Sequence, residues 1–453
     1  MSQDPSQNPP FPFERPCLSI WQRTTRHDSL LHEGASSPIP ATADVVIIGS
    51  GMAGAVTAYE LLSTPNGPKN VVILEAREAC SGATGRNAGH CRPDAFRGFT
   101  AFSKIHGPEQ AMKIIEHEKL VLQLVKRFID THKIECDFDY CKTFDVIMGE
   151  DFFRYVTSSF ESFKGFGGDT AGITWLEQGE ARKATRVPEA LGAFEWNAAS
   201  LHPAKLCLAI LAMGRGLGLS LFTHTPATGI EPSPSGNKNW VVSTARGSIT
   251  TPVVVHATNA FADTLLPQLE NLVTPMRAQA HKIIPTPSFS STNMLTHTYS
   301  LRFALHHFYS LIQRKSDGTL VLGTSRGIPG LSETTRAELA CKNDRVLNEE
   351  IQEDAVRSFK KIFPDFGEEA LGEGLEFGWT GILGMTKDSV PFVGAVPGCP
   401  GQYVLAGFNG HGMARIFGCA PGLSQLVLGG KWEDTGMPDC FQITEERMAK
   451  LRQ

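Results

Sequence analysis

The 453-residue chain lacks several features that would each define a class of protein. Its ten cysteines form no C-x-x-C pair and are too sparse for a disulfide scaffold, so a zinc ribbon or a thioredoxin-like centre has no support, and we predict no metal site. No apolar run is long enough to span a membrane, and residues 1–16 lack the apolar core of a secretory leader. A net charge of −5 without a basic tract argues against a nucleic-acid partner. We therefore expect a cytoplasmic protein with neither membrane nor nucleic-acid partners.

Four short apolar runs are the clearest secondary-structure signal in the sequence. Each reads as a strand buried on both faces, which is typical of a parallel sheet, and the first three are rich in β-branched residues. The runs are residues 45–48, 71–74, 253–258 and 402–407. Between them, residues 276–322 alternate as antiparallel strands do, and residues 336–363 have the periodicity of one long helix.

These patterns predict an α/β fold. It combines a Rossmann-like nucleotide-binding domain, built from separated segments, with an inserted α+β substrate domain that contains a largely antiparallel sheet. The predicted parts are an N-terminal arm over 1–43, the nucleotide-binding domain over 44–98, 200–275 and 370–453, and the substrate domain over 99–199 and 276–369. Within the arm, residues 18–21 are a possible docking piece.

Residues 49–54 read GSGMAG and fit the G-x-G-x-x-G fingerprint between the first two strands. Gly49 permits the tight turn, Gly51 lets backbone approach a pyrophosphate, and Gly54 lets the helix pack on the strand. Glu75 follows the second strand, 26 residues after Gly49, where a carboxylate accepts hydrogen bonds from a ribose hydroxyl. The alternative is a glycine-rich packing turn without a ligand. The fingerprint alone leaves NAD and FAD equally open.

Two further motifs carry a family resemblance. Residues 81–90 read SGATGRNAGH directly after the acidic strand end, and residues 407–412 read GFNGHG between a buried strand and a helix. With the fingerprint, they make the chain resemble the FAD-dependent amine and amino-acid oxidases related to D-amino-acid oxidase, glycine oxidase, monomeric sarcosine oxidase and γ-glutamylputrescine oxidase. The resemblance covers residues from about 44 to 430 and does not single out one member.

The resemblance implies FAD as the cofactor, held by residues in and beside the three motifs. The implied binding residues are Gly49, Gly51, Met52, Ala53, Gly54, Glu75, Ala76, Arg77, Ala83, Thr84, Arg86, Asn87, Ala88, Gly89, His90, Thr228, Gly381, Gly410, His411, Gly412 and Met413. The flavin-linking cysteine of the sarcosine-oxidase branch falls near Gly381, which favours noncovalent FAD, while His90 and Cys91 leave covalent attachment open. His411 either contacts the flavin or is a histidine of the turn.

The implied reaction oxidises a carbon–nitrogen bond of an amine or amino acid to an imine by hydride transfer to flavin N5. The single dinucleotide fingerprint favours oxygen as the electron acceptor. Arg92 follows the second motif and is a candidate beside the flavin ring. Alternation along residues 303–313 puts His307 and Tyr309 on one face of a strand, and it does not say which face looks into the pocket. We name His307, Tyr309 and Arg92 as catalytic candidates.

Two positions depart from the sarcosine-oxidase branch. Ala414 stands where that branch has a lysine that binds the substrate carboxylate, and Val321 stands where it has a lysine that activates oxygen. The first departure keeps an alternative open: a flavin-dependent tailoring oxidase or dehydrogenase acting on a nitrogenous metabolite without an α-carboxylate. A non-catalytic FAD-binding protein is the other alternative.

Overall fold

A computed structural model describes residues 9–234, 238–325 and 327–453 of the chain. Its strands are β1 (Val45–Ile48), β2 (Val71–Leu74), β3 (His90–Cys91), β4 (Asp139–Ile147), β5 (Thr174–Leu176), β6 (Gly192–Ser200), β7 (Ser220–Phe222), β8 (Ala227–Pro232), β9 (Trp240–Thr244), β10 (Gly247–Thr251), β11 (Val253–His256), β12 (Thr274–Ile284), β13 (Thr298–Arg302), β14 (Phe308–Gln313), β15 (Leu320–Thr324), β16 (Gly374–Met385), β17 (Phe392–Ala395) and β18 (Gln402–Ala406).

The α-helices of the same ranges are α1 (Ile20–Arg23), α2 (Met52–Ser63), α3 (Phe99–His106), α4 (Pro108–His132), α5 (Glu150–Gly165), α6 (Gln178–Thr185), α7 (Pro203–Gly216), α8 (Glu333–Leu339), α9 (Glu349–Ile362), α10 (Ile416–Val427) and α11 (Glu445–Arg452). None of these helices has both the length and the apolar composition that crossing a membrane requires.

The first sheet forms from the four apolar runs. Its strand order is β17-β18-β11-β1-β2-β7, and all neighbours are parallel except β17 and β18. Val45 and Ile47 pack with helices α2, α7 and α10, whereas Val46 and Ile48 pack with the three-stranded sheet β10-β9-β8. Both faces are therefore covered, as continuous β-branched runs require. This confirms the Rossmann-like architecture.

The second large sheet has nine strands and is largely antiparallel, as predicted. Its order is β16-β12-β15-β14-β13-β4-β6-β3, with β5 paired to β6, and only β13 and β4 run parallel. Leu311 of β14 and Leu322 of β15 share a buried cluster with Phe359 of α9. Helix α9 therefore covers one face of this sheet and leaves the other face for the site.

The single helix predicted over residues 336–363 is wrong. Helix α8 ends at Leu339 and α9 begins at Glu349. The Asn348 side chain accepts a hydrogen bond from the Ile351 N–H at 3.1 Å, and an asparagine that caps a helix in this way starts a new helix rather than continuing one. The connection carries Asp344, which is buried and has a role in the site described below.

The N-terminal arm docks through residues 19–23. The Ser19 side chain caps α1, and its hydroxyl donates to the Gly85 carbonyl oxygen. The Trp21 ring is fully buried, and its Nε1–H donates to the Asn87 carbonyl oxygen at 2.6 Å. The arm is thereby tied to the loop of the SGATGRNAGH motif, whose position depends on it.

Replacing Trp21 with alanine should destabilise the protein by about 3–5 kcal/mol, because a fully buried indole leaves both a cavity and an unpaired carbonyl behind. Thermal unfolding followed by circular dichroism measures the effect. Leu371→Ala is the matched control, since Leu371 is fully exposed. Equal melting temperatures for the two variants would show that the arm is not anchored by Trp21.

Candidate active site

A cavity of about 580 Å³ lies between the two large sheets. Ile48, Leu74 and Ala257 line it at the carboxyl ends of β1, β2 and β11, and Ser310 and Gly323 line it from β14 and β15. Ligands of open parallel sheets bind outside the carboxyl ends of the strands. The cavity has the volume of a small-molecule site.

The glycine turn has the geometry that a bound pyrophosphate needs. Gly49 has φ of 105°, and a Cβ on Gly54 would lie 2.0 Å from the Gly49 carbonyl oxygen, so both positions exclude other residues. Gly51 has no side chain to cap helix α2, and Met52 and Ala53 of the first turn line the cavity. The Met52 N–H donates to the Thr84 hydroxyl at 2.9 Å. A helix N-terminus placed in this way binds anions through its remaining N–H groups and its dipole.

Glu75 is held rigidly at the end of β2. One carboxylate oxygen accepts hydrogen bonds from the Ser50 N–H at 2.9 Å and the Ser50 hydroxyl at 2.7 Å, and the other accepts from the Arg77 N–H at 2.9 Å. The residue also lines the cavity. Because each carboxylate oxygen has two lone pairs, the oxygen that accepts only from Arg77 keeps one acceptor site for a ribose hydroxyl.

Two arginines of the predicted set anchor the loop. The Arg77 Nη1–H donates to Asp344 at 2.9 Å, and Arg86 donates to the Thr380 carbonyl oxygen at 2.8 Å and to the Cys17 carbonyl oxygen at 2.6 Å. Burial is the main influence on Arg86 and lowers its pKa, partly offset by Asp344. Most guanidinium donors here are bound to the protein, so both side chains position the loop as much as they face the cavity.

The structure brings most of the predicted cofactor residues to this one cavity. Those that line it are Gly49, Gly51, Met52, Ala53, Glu75, Ala76, Arg77, Ala83, Thr84, Arg86, Asn87, Ala88, His90, Gly381, Gly410, His411, Gly412 and Met413.

Three predicted residues lie behind or beside the cavity wall. Gly54 packs on Gly49, as its role in the fingerprint requires. Gly89 has φ of 80°, and a Cβ there would lie 2.7 Å from the Ile312 side chain. Thr228 is exposed, and its hydroxyl donates within the three-stranded sheet, while the preceding residue, Ala227, lines the cavity. The side-chain alternation of β8 therefore turns Thr228 away from the cavity.

His307 and Tyr309 point away from the cavity. The Tyr309 hydroxyl contacts Asp354 and Ser358 of α9, on the far face of β14, and His307 packs against the Phe303 ring. The cavity-facing set of this segment is His306, Phe308 and Ser310. Helix α9 covers the face of β14 that carries Tyr309, which leaves the face with Ser310 to the cavity. Neither His307 nor Tyr309 lines the cavity, so their side chains are not placed for the catalytic roles predicted for them.

Arg92 does line the cavity, within a cluster that sequence reasoning missed. Its Nη2–H donates to Asp145 at 3.0 Å, and Asp145 also accepts from Arg302 at 3.0 Å and from Arg97 at 3.4 Å. Arg97 donates in turn to Asp94 at 3.1 Å. We call these five residues the arginine cluster. Its members come from distant segments, so no local motif could have disclosed it.

Burial is the largest influence on the pKa values of the three arginines and Asp145. Burial and the neighbouring Arg97 together lower the pKa of Arg302 to about 9, although Asp145 acts in the opposite direction. Burial alone would raise the pKa of Asp145, but Arg302, Arg92 and Arg97 outweigh it and hold the pKa well below its usual range. Three guanidinium groups thus face two carboxylates, and the cluster keeps one positive charge in excess.

A second buried carboxylate, Glu118 of α4, supports the turn of the GFNGHG motif. It accepts from the Arg415 Nε–H at 2.7 Å, from the Asp94 main-chain N–H at 2.7 Å and from His411 Nδ1 at 3.3 Å. Burial would raise the pKa of Glu118, but His411 and Arg415 outweigh it and lower the pKa to about 2. Above the turn, the Asn259 side-chain oxygen accepts from the Gly407 N–H at 3.1 Å.

His90 gives an independent sign of a bound group. Both of its ring nitrogens are buried and have no hydrogen-bond partner among the described residues, although His90 lines the cavity. Burial lowers its pKa to about 3, so the ring is neutral. An unpartnered imidazole in the wall of the cavity that the glycine turn and Glu75 also line fits a dinucleotide that carries a further ring system.

The other candidate for covalent attachment is inert. Cys91 is fully buried, its thiol donates to the Met413 carbonyl oxygen at 3.5 Å, and burial raises its pKa to about 12. A thiol in that environment is not a nucleophile. Of the two departures from the sarcosine-oxidase branch, Ala414 lines the cavity, whereas Val321 is buried in the core.

The fold and the site together define a dinucleotide-binding protein whose second sheet closes the cavity. The chain belongs to the DAO family of FAD-dependent oxidoreductases, whose family model matches residues 44–426. This confirms the family expected from the three motifs, and with it FAD as the cofactor.

Three known proteins show the extent of the similarity. The chain is 24% identical to the probable oxidoreductase OrdL of Haemophilus influenzae, over 85% of this chain and 83% of the relative. It is 22% identical to the gamma-glutamylputrescine oxidoreductase of Escherichia coli, over 82% and 80%. The crystal structure of glycine oxidase from Geobacillus kaustophilus superposes with a TM-score of 0.70 at 21% identity, over 90% of this chain and 99% of that one. The last likeness shows the fold.

Gly51→Val should reduce the FAD content of the purified protein to roughly a tenth or less, because a branched side chain fills the space where the pyrophosphate approaches the backbone. The backbone there has φ of −69°, which valine accepts, but an added Cβ would lie 3.2 Å from the Thr84 hydroxyl, so that side chain must shift slightly. Circular dichroism checks that the variant folds. Flavin absorbance per protein measures the change. Gly216→Val is the control, since a Cβ at Gly216 meets nothing. Full retention of FAD in Gly51→Val would contradict the site.

Proposed function

We propose that this protein is an FAD-dependent oxidoreductase that oxidises the CH–NH or CH–NH2 group of an amine or amino acid, and that its substrate also carries a carboxylate. One observation supports this most directly: the arginine cluster lines the cavity and keeps one positive charge in excess. The relatives named above, which act on γ-glutamylputrescine and glycine, are consistent with an amine or amino-acid substrate.

Two arginines of the cluster each have one guanidinium nitrogen that makes no hydrogen bond to the described residues. Asp145 and Thr143 occupy Nη2 and Nε of Arg92, and Asp145 and the Leu305 carbonyl oxygen occupy Nε and Nη1 of Arg302. Among the described residues, Arg92 Nη1 and Arg302 Nη2 have no hydrogen-bond partner. A carboxylate is the anion whose geometry matches paired guanidinium donors. We infer that these two groups hold the substrate carboxylate.

The chain's own part in the reaction is to bind and orient the substrate. Bound FAD supplies the hydride acceptor. The carboxylate held by Arg92 and Arg302 fixes one end of the substrate, and the cation of Arg302 is itself held over the Phe308 ring at 4.2 Å. Fixing the substrate at a rigid wall presents a single C–H bond to the interior of the cavity, which contributes through orientation.

The residues proposed to hold FAD are those of the predicted set that line the cavity, from the glycine turn through Glu75 to the GFNGHG turn. Oxygen is the proposed electron acceptor, because the sequence has one dinucleotide fingerprint and no second site for a nicotinamide cofactor was found in it. The cytoplasmic location expected from the composition stays a prediction.

Ala414 favours one alternative. It lines the cavity where the sarcosine-oxidase branch has a carboxylate-binding lysine, so that positive charge is missing from this part of the wall. A nitrogenous metabolite without an α-carboxylate would suit that wall. The arginine cluster and Ala414 therefore favour different substrates, and one comparison separates them.

Amines of matched skeleton with and without a carboxylate, such as proline with pyrrolidine and sarcosine with dimethylamine, provide that comparison. We expect anaerobic bleaching of the flavin by carboxylate-bearing amines, with kcat/KM about 10- to 100-fold above the partner amine, and recovery in air with peroxide formed. A preference for the partner amine would favour the metabolite alternative. Reduction by NADPH alone would contradict an amine substrate, and reduction by nothing would favour a non-catalytic protein.

Arg302→Met should raise KM for the preferred carboxylate substrate by about 10- to 100-fold, because a charge-assisted pair is lost, and should leave the partner amine's kcat/KM nearly unchanged. Steady-state kinetics on both substrates measure the split. Arg357→Met is the matched control, since Arg357 lies on the exposed side of α9. An equal loss for both substrates would indicate a structural role for Arg302.

A further inference from the structure

The two ring nitrogens of His411 have different surroundings: Nδ1 contacts the Glu118 carboxylate, and Nε2 is left for the cavity. Its Nδ1 lies 3.3 Å from the Glu118 carboxylate, and among the described residues Nε2 has no hydrogen-bond partner. The ring lines the cavity and about a third of it, 32%, is exposed there. A carboxylate only accepts, so the proton of a neutral imidazole lies on Nδ1 and the lone pair on Nε2.

The charge on Glu118 is already balanced without His411. Arg415 donates its Nε–H to Glu118 at 2.7 Å, and both side chains are almost completely buried. Arg415 therefore supplies a counter-charge for Glu118, and His411 Nε2 stays open to the cavity. Should it gain a proton, Glu118 would still lie beside it to stabilise the charge, as a carboxylate does for a histidine base.

Glu118 also links His411 to the arginine cluster. The oxygen that accepts from His411 accepts from the Asp94 main-chain N–H at 2.7 Å, and the Asp94 side chain pairs with Arg97. The histidine and the proposed carboxylate site thus share one stretch of the cavity wall. In the proposed binding mode, the amino group of a substrate held through its carboxylate lies along this stretch of the wall.

We propose that His411 accepts the proton of the substrate's ammonium group and that Glu118 positions the imidazole for this step. The inference rests on the proposed function. An N–H bond of the ammonium breaks, its electron pair stays on the amine nitrogen, and a new N–H bond forms on His411 Nε2. No electrons are exchanged. The step matters because only the neutral amine can give up a hydride and leave a cationic imine.

The charged surroundings of His411 come from three elements. Glu118 of α4 faces it directly, Arg415 flanks Glu118 at the start of α10, and Asp94 with Arg97 lies beyond Glu118. His117, the neighbour of Glu118, contacts the Arg415 carbonyl oxygen, and burial lowers its pKa to about 4, so it stays neutral.

The test is the pH dependence of flavin reduction in His411→Gln, with Glu118→Gln beside it. At neutral pH, kcat/KM of His411→Gln should fall by about 10²- to 10⁴-fold. The loss should become smaller as the pH approaches the pKa of the substrate ammonium, because the substrate is then already partly neutral in solution and needs no base on the protein. Glu118→Gln should show a smaller loss of the same form, and His132→Gln, an exposed histidine of the same helix, should show none.

A loss of the same size at every pH would overturn the proposal, since it would mark a structural role. If the unaltered protein is reduced by no amine at any pH, the proposed function fails instead, and the two failures are thereby distinguished.

A second measurement does not depend on turnover. The ¹⁵N shifts of the histidine rings, assigned by the signal missing in His411→Gln, should report a proton on Nδ1, and Glu118→Gln should shift the tautomers towards Nε2–H. A His411 ring already protonated on Nε2 in the unaltered protein would also overturn the proposal.

Discussion

The fully buried carboxylate of Asp145 accepts hydrogen bonds from three guanidinium groups at one wall of the cavity. Each of those cations would be costly to bury alone, and the carboxylate would be equally costly without them. Asp145 is the residue on which the cluster depends, because its removal would leave buried cations without compensation, whereas the loss of one arginine leaves it two others. The cluster's excess of one positive charge is therefore a fixed property of the fold, available to a ligand that brings the missing negative charge.

The two sheets supply the halves of the site for different physical reasons. Parallel strands end together, so the glycine turn and Glu75 gather at one edge, where the α2 N-terminus adds its dipole. The antiparallel sheet is covered on one face by α9 and faces the cavity with the other. Glu118 joins the halves: it lies on α4 and binds both the GFNGHG turn and the segment that carries Asp94.

Much of this could be predicted from the sequence where the signal is local. The strand at 45–48 and the glycine turn after it depend on residues adjacent in the chain, and the FAD assignment follows from three contiguous motifs. Alternation along β14 defined two faces, but only the packing of α9 decides that Tyr309 turns towards Asp354. Periodicity likewise predicted one helix over 336–363, since it does not register the cap at Asn348.

The arginine cluster lay beyond sequence reasoning altogether. Arg302 and Asp145 are 157 positions apart, and Arg97 and Asp145 are 48 apart, so their meeting depends on the pairing of β13 with β4. Glu118 and His411 are 293 positions apart. Arg92 and His411 lie in or beside the motifs and could be named as candidates, but Arg97, Glu118, Asp145 and Arg302 read as ordinary surface charges in their own segments. Their role becomes visible only when burial and partner are known.

The most direct test of a carboxylate-binding wall beside the flavin uses a ligand that cannot react. Benzoate carries a carboxylate and has no amine. Titrating the FAD-bound protein with benzoate should give a saturable change in the flavin absorption spectrum. Benzoate should also inhibit oxidation of the amine substrate competitively, over the same range of benzoate concentration that changes the spectrum. A spectrum that stays unchanged, together with no competition, would contradict the assignment of the arginine cluster as the substrate's anchor.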